Sequence, residues 1–258
     1  MSSIIKLYPN GLTAGVPPRG GPKSRGDRKA LQGWSAESIR SNQRFLFSVN
    51  GGDLTGTAYS VTLTVANCPE SADEWKRLRG VFFDRLRRRC LLYGHWLTDP
   101  GARWIVDAWL EAAAQYRPMA QSQHVTPLYD ALGWFQYVSK HAARGLAHYQ
   151  RSPELIPPGW QGRTGRMWGT LGNWPRSEAM ALNLSMPAFH AFRRLLRRRR
   201  IADARAAGSP SRIAHARGML RCNDPKRSSV RGASDWCDLS ESLGLIAAVG
   251  ALGHQIYS

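Results

Sequence analysis

The sequence predicts an α+β protein, and three stretches carry that prediction. Residues 58–65 alternate apolar side chains with serine and threonine, which is typical of a strand with one buried face. Ser71 and Glu74 form a helix-capping box, and apolar residues then recur at helical spacing as far as Cys90. Residues 128–146 repeat apolar side chains at steps of three and four, the spacing of one helix face. Strand and helix patterns therefore both occur in this chain.

Composition divides the chain into three predicted regions. Residues 1–43 contain a stretch rich in Gly, Pro and Arg and are expected to form a flexible basic arm. Residues 44–180 hold the strand and helix patterns above, with further strands expected at 44–49 and 91–98. Residues 181–258 are expected to form a basic region that is mostly helical. The middle region is therefore the predicted core.

The charge of the chain points to a polyanionic partner. Lys and Arg number 36 against 18 Asp and Glu residues, which gives a formal net charge of +18. Nucleic acid is the first candidate partner, and an anionic membrane surface is the second. Arginine dominates the basic residues, and its guanidinium can hold a phosphate through two parallel hydrogen bonds. The strongest basic run, which is expected to bind DNA, comprises Arg197, Arg198, Arg199 and Arg200.

The cysteines and the apolar stretches indicate a cytoplasmic protein. The four cysteines are irregularly spaced and form no Cys-x-x-Cys pair, which favours reduced thiols over a disulfide frame or a zinc site. The N-terminus lacks the basic-then-apolar pattern of a signal peptide. The longest apolar stretch, 243–252, is too short to cross a bilayer.

One face of the helix predicted around residue 137 gathers a phenol and several cations. At 100° per residue, the apolar stripe leaves another face to Tyr137, Lys140, His141 and Arg144. Tyr137 and Lys140 lie three residues apart, so their side chains can converge on one phosphate. A tyrosine oxygen that attacks a DNA phosphate forms a phosphotyrosine, and a nearby cation offsets the charge of the transition state. A half-buried ring beside a solvated lysine would show the same spacing, and this alternative stays open.

Two tryptophans lie beside arginines in the loop at 165–175. Aromatic rings interleaved with cations can stack bases and hold phosphates, so Trp168 and Arg144 join the candidate DNA-binding residues. Tryptophans more often belong to a core, and this alternative also stays open.

Several motifs, taken in their order along the chain, resemble the rolling-circle replication initiators of filamentous phages and small bacterial plasmids. This family consists of HUH (His-hydrophobe-His) nicking endonucleases. The resemblance covers roughly residues 25–180. The matching stretches are Gly33-Trp-Ser, Tyr59-Ser-Val-Thr-Leu-Thr, His95-Trp-Leu-Thr-Asp, Gly133-Trp-Phe-Gln-Tyr-Val-Ser-Lys-His-Ala-Ala-Arg-Gly, His148-Tyr-Gln-Arg, and Gly165-Arg-Met-Trp-Gly-x-x-Gly-x-Trp-Pro175.

The resemblance implies a fold and a reaction. The fold would be a ferredoxin-like core with a central antiparallel sheet, held in residues 44–180. Tyr137 would be the DNA nucleophile and Lys140 its cationic helper. The protein would bind single-stranded DNA at a replication origin, nick and rejoin it, and work with the replication machinery in a bacterial cytoplasm rather than at a membrane. A Mg²⁺ or Mn²⁺ cofactor is also implied, with Asp99 and His95 as candidate ligands.

The sequence departs from the family pattern at the metal site. No two of the seven histidines are separated by a single residue, so the His-hydrophobe-His pair is missing. Only residues 99–103 follow Thr98 before the next predicted helix, which leaves no room for two turns and a strand. The sheet would therefore be one strand short. Two alternatives follow: a deletion derivative that binds DNA without cutting it, and a basic RNA-binding protein.

Overall fold

The structure, a computed structural model, describes most of the chain as two compact units. The terminal unit comprises Met1–Gly26, Ala36–Gly51 and Trp174–Ser258, and the central unit comprises Asp27–Ser35 and Gly52–Asn173. The described residues are 3–16, 36–55, 58–93, 101–143, 158–160, 168–170, 172–219 and 231–257.

The described chain contains both helices and strands, and its described strand pairs are antiparallel, as in an α+β protein. No described helix is long and apolar enough to cross a membrane. The elements in chain order are β1 (Ser3–Tyr8), β2 (Gly11–Val16), α1 (Ala36–Ser48), β3 (Ala58–Thr62), α2 (Ala72–Tyr93), α3 (Gly101–Ala112), β4 (His124–Leu128), α4 (Ala131–Ala143), β5 (Met180–Leu184), α5 (Met186–Ala206), α6 (Pro210–Met219), β6 (Arg231–Asp235), α7 (Leu239–Ala251) and β7 (Ile256–Tyr257).

A five-stranded antiparallel sheet organises the described part of the terminal unit. Its order is β6-β2-β1-β5-β7. The central hairpin pairs Ile5 with Ala14, and β1 also pairs with β5 through Ile5 and Leu182. Phe192 of α5 and Val249 of α7 belong to the same buried apolar cluster as these strands, because both helices turn an apolar stripe toward the sheet. The predicted α+β class and the presence of an antiparallel sheet are confirmed. The sheet was predicted within residues 44–180, and this location is wrong, because its strands lie almost wholly outside that range.

The structure corrects the prediction for the start of the chain. Residues 3–16 form the β1–β2 hairpin rather than part of a flexible arm. Ile5, Leu7 and Leu12 are almost wholly buried in it, so the hairpin buries enough apolar surface to be ordered. Its turn ends at Gly11, where an added Cβ would lie 2.4 Å from the Phe47 ring. Only glycine leaves room there for that close approach.

Two predicted strands are helical. Residues 44–49 were expected to be extended, but α1 runs through Ser48 and buries Ile39, Asn42 and Leu46 on one face. A short apolar run is compatible with either a strand or a buried helix face, and here the period of 3.6 holds. The strand expected at 91–98 is also wrong in its first part, because α2 continues to Tyr93. The rest of that prediction lies outside the described residues.

The compact units also differ from the predicted division at residues 43 and 180. The terminal unit takes its strands from both ends of the chain: Ser3 of β1 pairs with Leu184 of β5, and Leu12 of β2 pairs with Asp235 of β6. The region after 180, expected to be mostly helical, therefore also supplies three strands of the sheet.

The central unit packs α2 and α3 beside a two-stranded sheet. Strands β3 and β4 pair antiparallel, with Val61 opposite Val125, and the core includes Phe82 and Trp109, whose rings meet edge to face. The strand predicted at 58–65 is confirmed as far as Thr62. The predicted capping box is confirmed in one half, where Ser71 Oγ accepts the backbone N–H of Glu74 at 3.2 Å. The Glu74 carboxylate instead accepts the N–H of Glu70.

The side chain of Gln123 joins the residues that follow β3 to the segment before β4. Its Oε1 accepts the backbone N–H of Thr64 at 2.7 Å, and its Nε2 donates to the carbonyls of Met119 at 2.8 Å and Thr64 at 3.2 Å. Gln123 is buried, so each of these backbone groups would lose its partner away from water if the amide were removed.

We expect Gln123→Leu to lower the free energy of unfolding of the central unit by about 2 kcal/mol, since it strands buried donors and acceptors. Urea denaturation followed by circular dichroism measures this change. The control is Gln121→Leu, in which an exposed amide two residues away is replaced and stability should shift by less than about 0.5 kcal/mol. Equal stabilities of the two variants would contradict the role given to Gln123.

Candidate nucleic-acid interface

An open groove of about 510 Å³ lies between the β3–β4 sheet and α4 in the central unit. Hydroxyl groups line its sheet side and aromatic rings line its helix side. A shallow groove of this composition suits an extended ligand with both flat apolar and polar parts better than a small molecule that must be enclosed. Its lining residues are Ser60, Thr62, Pro127, Leu128, Tyr129, Asp130, Gly133, Trp134 and Tyr137.

The hydroxyl groups follow from the alternation of β3. Ser60 and Thr62 are two residues apart, so they point to the same side of the strand. Ser60 pairs with Thr126 and Thr62 pairs with His124 across the ladder. The sequence predicted a hydroxyl-bearing face on this strand, and the structure places that face in the groove.

Helix α4 begins with a side-chain cap that belongs to the groove. Asp130 Oδ1 accepts the backbone N–H of Gly133 at 2.9 Å, which satisfies one of the first amides of the helix. A Cβ at position 133 would lie 2.3 Å from Asp130 Oδ2 and would clash with it, so the glycine leaves the space that the carboxylate occupies. The cap fixes where α4 starts and therefore which of its side chains reach the groove.

Tyr137 lies in the groove with its ring partly in solvent. The ring is 51% exposed and stacks on Trp134 with centroids 5.2 Å apart and an interplanar angle of 25°. Phe135 and Ser139 are buried on the other side of α4. The predicted division of this helix into a packed face and an open face is therefore confirmed, and position 137 is on the open face.

The other residues predicted on this helix are described only in part. Lys140 lies in α4, about one turn after Tyr137, but its side chain lies outside the described residues. Arg144 lies wholly outside them. The structure thus places the phenol in the groove and does not test the cation predicted to assist it.

The predicted metal ligands His95 and Asp99 also lie outside the described residues. Within the part that is described, no three His, Cys, Asp or Glu side chains form a group that could hold a metal ion. Asp130 is the one carboxylate among the described groove residues, and its Oδ1 already caps α4. The described lining therefore does not fit a divalent cation by itself.

The two tryptophans of the 165–175 loop belong to different units. Trp174 packs edge to face on Phe45 of α1 at 5.6 Å, so it is a packing residue of the terminal unit. Trp168 is half-buried in the central unit. The DNA-binding role predicted for Trp168 remains a prediction.

The arginine run of α5 divides into paired and open side chains. Arg199 contacts Glu241 at 2.7 Å and lies 4.0 Å from Asp235, and Arg200 pairs with the Asp235 carboxylate. Burial lowers the pKa of Arg199, but the carboxylates of Glu241 and Asp235 outweigh this effect and raise the pKa overall. Arg199 and Arg200 therefore hold β6 and α7 to α5.

Arg197 and Arg198 differ from these two. Arg197 is half-buried, and its Nε has no hydrogen-bond partner among the described residues. Arg198 is exposed, as is Arg194 one turn earlier, and neither forms an ion pair with any described residue. This open stripe, at a spacing of four residues on one helix face, was not singled out from the sequence.

Sequence reasoning missed three further groove residues: Tyr129, Asp130 and Trp134. A signal for two of them was present. Asp130 stands directly before the helical apolar pattern that includes Leu132, which is a helix-start signal. Trp134 precedes Tyr137 by the three residues that bring side chains together on a helix.

Comparisons with known proteins find relatives along almost the whole chain. The chain is 39% identical to the replication-associated protein of Pseudomonas phage Pf3, with 97% of this chain and 98% of that protein aligned. It is 38% identical to a putative replication protein of Xylella fastidiosa strain 9a5c, with 99% of each chain aligned. No model of a known protein family matches the chain. No solved structure matches it either.

The relatives carry residues that this chain lacks. The alignment with the Pf3 protein spans 274 positions, whereas 97% of 258 residues is about 250, so about 24 positions hold no residue of this chain. The same subtraction gives about 25 for the strain 9a5c protein, from 280 positions and 99% coverage. A second Xylella fastidiosa protein, from strain Temecula1, gives about 24, from 261 positions and 92% coverage. The three alignments therefore contain a similar number of positions that this chain does not fill.

Identity at this level over nearly the full length of each partner is far above what shared composition produces. The two alignments cover this chain nearly from end to end rather than at one motif. This chain therefore belongs to the family of replication proteins found in Pseudomonas phage Pf3 and Xylella fastidiosa.

Proposed function

We propose that this chain initiates rolling-circle DNA replication by binding unpaired origin DNA in the groove and cutting it with Tyr137. The observation that carries the proposal is the position of the Tyr137 phenol, which is half exposed in an open groove lined by hydroxyls and aromatic rings. Membership in a family of replication proteins supports DNA as the substrate. The relation to HUH nicking endonucleases and a ferredoxin-like core are parts of the same proposal.

The proposed reaction is a transesterification. Tyr137 Oη loses its proton to solvent or a base and attacks a phosphorus atom of the DNA backbone, so that an Oη–P bond forms. The P–O bond to the 3′ oxygen breaks, and that oxygen takes up a proton to become a free 3′-hydroxyl that can prime synthesis. Reversal of the step, by a 3′-hydroxyl attacking the phosphotyrosine, rejoins the strand. No atom is gained or lost over the cycle.

The side chains around Tyr137 have positioning roles in this reaction. Trp134 stacks on the phenol ring and limits its orientations, which favours attack from one direction. Ser60 and Thr62 offer hydroxyl donors to phosphate oxygens along the groove. Lys140 is proposed to offset the negative charge of the transition state from the next turn of α4.

A divalent cation belongs to the proposal as an expectation from the family resemblance. Mg²⁺ or Mn²⁺ would polarise the scissile phosphate, and His95 and Asp99 would be its ligands in this chain. Since the described groove residues do not form a metal site, the steps above are assigned to protein groups alone.

The test of the proposal is the formation of a covalent adduct. The protein is incubated with a 5′-labelled and a 3′-labelled pool of single-stranded DNA that covers the origin of its own replicon, with Mn²⁺, with Mg²⁺ or with EDTA. We expect the 3′-labelled fragment to migrate with the protein on a denaturing gel. Mass spectrometry of the DNA-linked peptide should identify Tyr137. An adduct on another residue would contradict the assignment.

A second candidate function is DNA binding without cleavage. The observation that favours it is that each of the three alignments has about 24 positions that this chain does not fill. One gap of that size would be large enough to hold two turns and a strand. Salt-sensitive binding of single-stranded DNA with no adduct under any metal condition supports this candidate. Tighter binding of RNA at matched salt would instead support the RNA-binding alternative.

The open arginine stripe of α5 gives a prediction about phosphate binding. We expect Arg198→Ala to weaken binding of DNA and to reduce the slope of log K against log salt concentration by about 1, the change expected for one lost phosphate contact. Arg198→Lys, which keeps the charge, is the control and should retain the slope. Fluorescence anisotropy titrations between low and physiological salt measure both variants. An unchanged slope in Arg198→Ala would remove this residue from the interface.

A further inference from the structure

We propose that the ring of Tyr129 is a stacking platform for one unpaired nucleobase at the mouth of the groove. This inference rests on the proposed function and deepens it, because it names the part of the DNA that the groove recognises beyond its phosphates. The chemistry of the ligand is a planar heteroaromatic base with at least one face free.

The first observation is the exposure of the ring. Tyr129 is 96% exposed, whereas Tyr137 in the same groove is 51% exposed. Tyr129 makes no hydrogen bond or ring contact with any described residue. Its side chain therefore contributes almost nothing to packing in the described part of the chain, although a tyrosine ring carries a large apolar surface. Such a ring is available to a ligand.

The second observation is that the backbone on both sides of Tyr129 is held. Leu128, which precedes it, is paired with Ala58 in the β3–β4 ladder. Asp130, which follows it, caps α4 through the N–H of Gly133. Because the neighbours on both sides are held, little backbone entropy is lost when a ligand binds to the ring.

The third observation is the composition of the groove that Tyr129 borders. It combines the stacked pair of Trp134 and Tyr137 with the hydroxyls of Ser60 and Thr62. Stacking rings beside groups that contact a backbone are the means by which proteins bind single strands with little sequence preference. A base on Tyr129 would fix the strand next to Tyr137 in one direction.

The proposal commits to an unpaired base for a geometric reason. In a duplex, both faces of every internal base are covered by its neighbours, and neither is open to a protein ring. A single strand exposes base faces at little cost. Binding that depends on Tyr129 should therefore distinguish single strands from duplexes of the same length.

The test separates bases from phosphates by comparing two oligonucleotides. One is a fluorescent 12-nucleotide oligo-dT, and the other is a 12-unit chain with the same phosphates in which every nucleotide is abasic. Affinities are measured by anisotropy at one salt concentration for the full-length wild-type protein and for Tyr129→Ala, Tyr129→Phe and Tyr257→Ala. Tyr257 is an exposed tyrosine of the terminal unit and serves as the matched control.

We expect Tyr129→Ala to weaken binding of oligo-dT by about 10-fold, the loss expected for one stacked base. Binding of the abasic chain should change by less than about 2-fold, since only phosphate contacts remain. Tyr129→Phe keeps the ring and should match the wild-type protein, as should Tyr257→Ala.

Two results would overturn the inference alone, and a third would overturn the proposed function as well. Equal losses for oligo-dT and the abasic chain would mean that Tyr129 acts on phosphates or on folding, and unchanged oligo-dT binding would mean that it does not contact DNA. In either case adduct formation through Tyr137 could still be observed, and the proposed function would stand. If the wild-type protein binds neither oligonucleotide, the proposed function fails together with the inference.

Discussion

Tyr137→Phe is expected to abolish the covalent protein–DNA adduct while leaving DNA binding nearly intact. The substitution removes a single oxygen atom, Oη, which is the proposed nucleophile. The phenylalanine ring can keep the stacking on Trp134 that the tyrosine ring has at 5.2 Å, so the groove should keep its shape. Loss of the nucleophile should lower adduct formation by at least about 10³-fold, the scale seen when a covalent catalyst loses its attacking group.

The measurement is a denaturing gel of the variant with origin single strands, run beside anisotropy titrations of the same preparation. Tyr129→Phe is the matched control, because it also removes one phenolic oxygen from the groove, but not the reacting one. This control should form the adduct at close to the wild-type rate. Adduct that persists in Tyr137→Phe would disprove the assignment of the nucleophile, and loss of binding as well would show that the phenol has a structural role.

Asp235→Ala is expected to have the largest effect on stability. Asp235 is the shared partner of Arg199 and Arg200, and the side chains of the three residues are only 13%, 24% and 20% exposed. Its Oδ1 also accepts the N–H of Trp236. Removing the carboxylate leaves two poorly solvated guanidinium groups without the negative charge that offsets their desolvation. The free energy of unfolding of the terminal unit should therefore fall by about 3 kcal/mol.

Asp203→Ala is the control for this prediction. Asp203 also lies near Arg199, at 4.0 Å, but its side chain is 57% exposed, and an exposed pair of this kind contributes less than about 1 kcal/mol. Urea denaturation measured by tryptophan fluorescence compares the two variants. The shift should appear in the transition in which the terminal unit unfolds. Similar stabilities for both variants would mean that the Asp235 pairs contribute little.

The local patterns in the sequence were sufficient for the elements that build the groove. The alternation at β3 predicted the face that carries Ser60 and Thr62, and the helical period of α4 placed Tyr137 opposite the buried Phe135. Both predictions depend on residues within one or two turns of each other, where the geometry of the backbone alone decides which side chains share a face.

Predictions that depended on distant partners did not succeed. The prediction of a flexible arm is wrong over residues 3–16, because the strand that pairs with β1 lies far along the chain, near residue 184. The pairing of Arg199 with Glu241 could not be seen in a local pattern either. One signal was available for the arginine run. Four consecutive helical residues span most of a turn at 100° each, so they cannot all face one phosphate backbone.

Strands β1 and β5 are neighbours in the sheet but lie far apart along the chain, and this affects folding during synthesis. The β1–β2 hairpin and α1 leave the ribosome first, Gly52–Asn173 of the central unit follows, and the strands that flank the hairpin in the finished sheet come only afterwards. The central unit can thus fold during translation, because its own strands and helices emerge together. Both edges of the nascent hairpin stay unpaired until residues 180–184 and 231–235 have been synthesised. A chain that stalls before then would expose two strand edges to other chains, and aggregation of truncated products is the expected outcome.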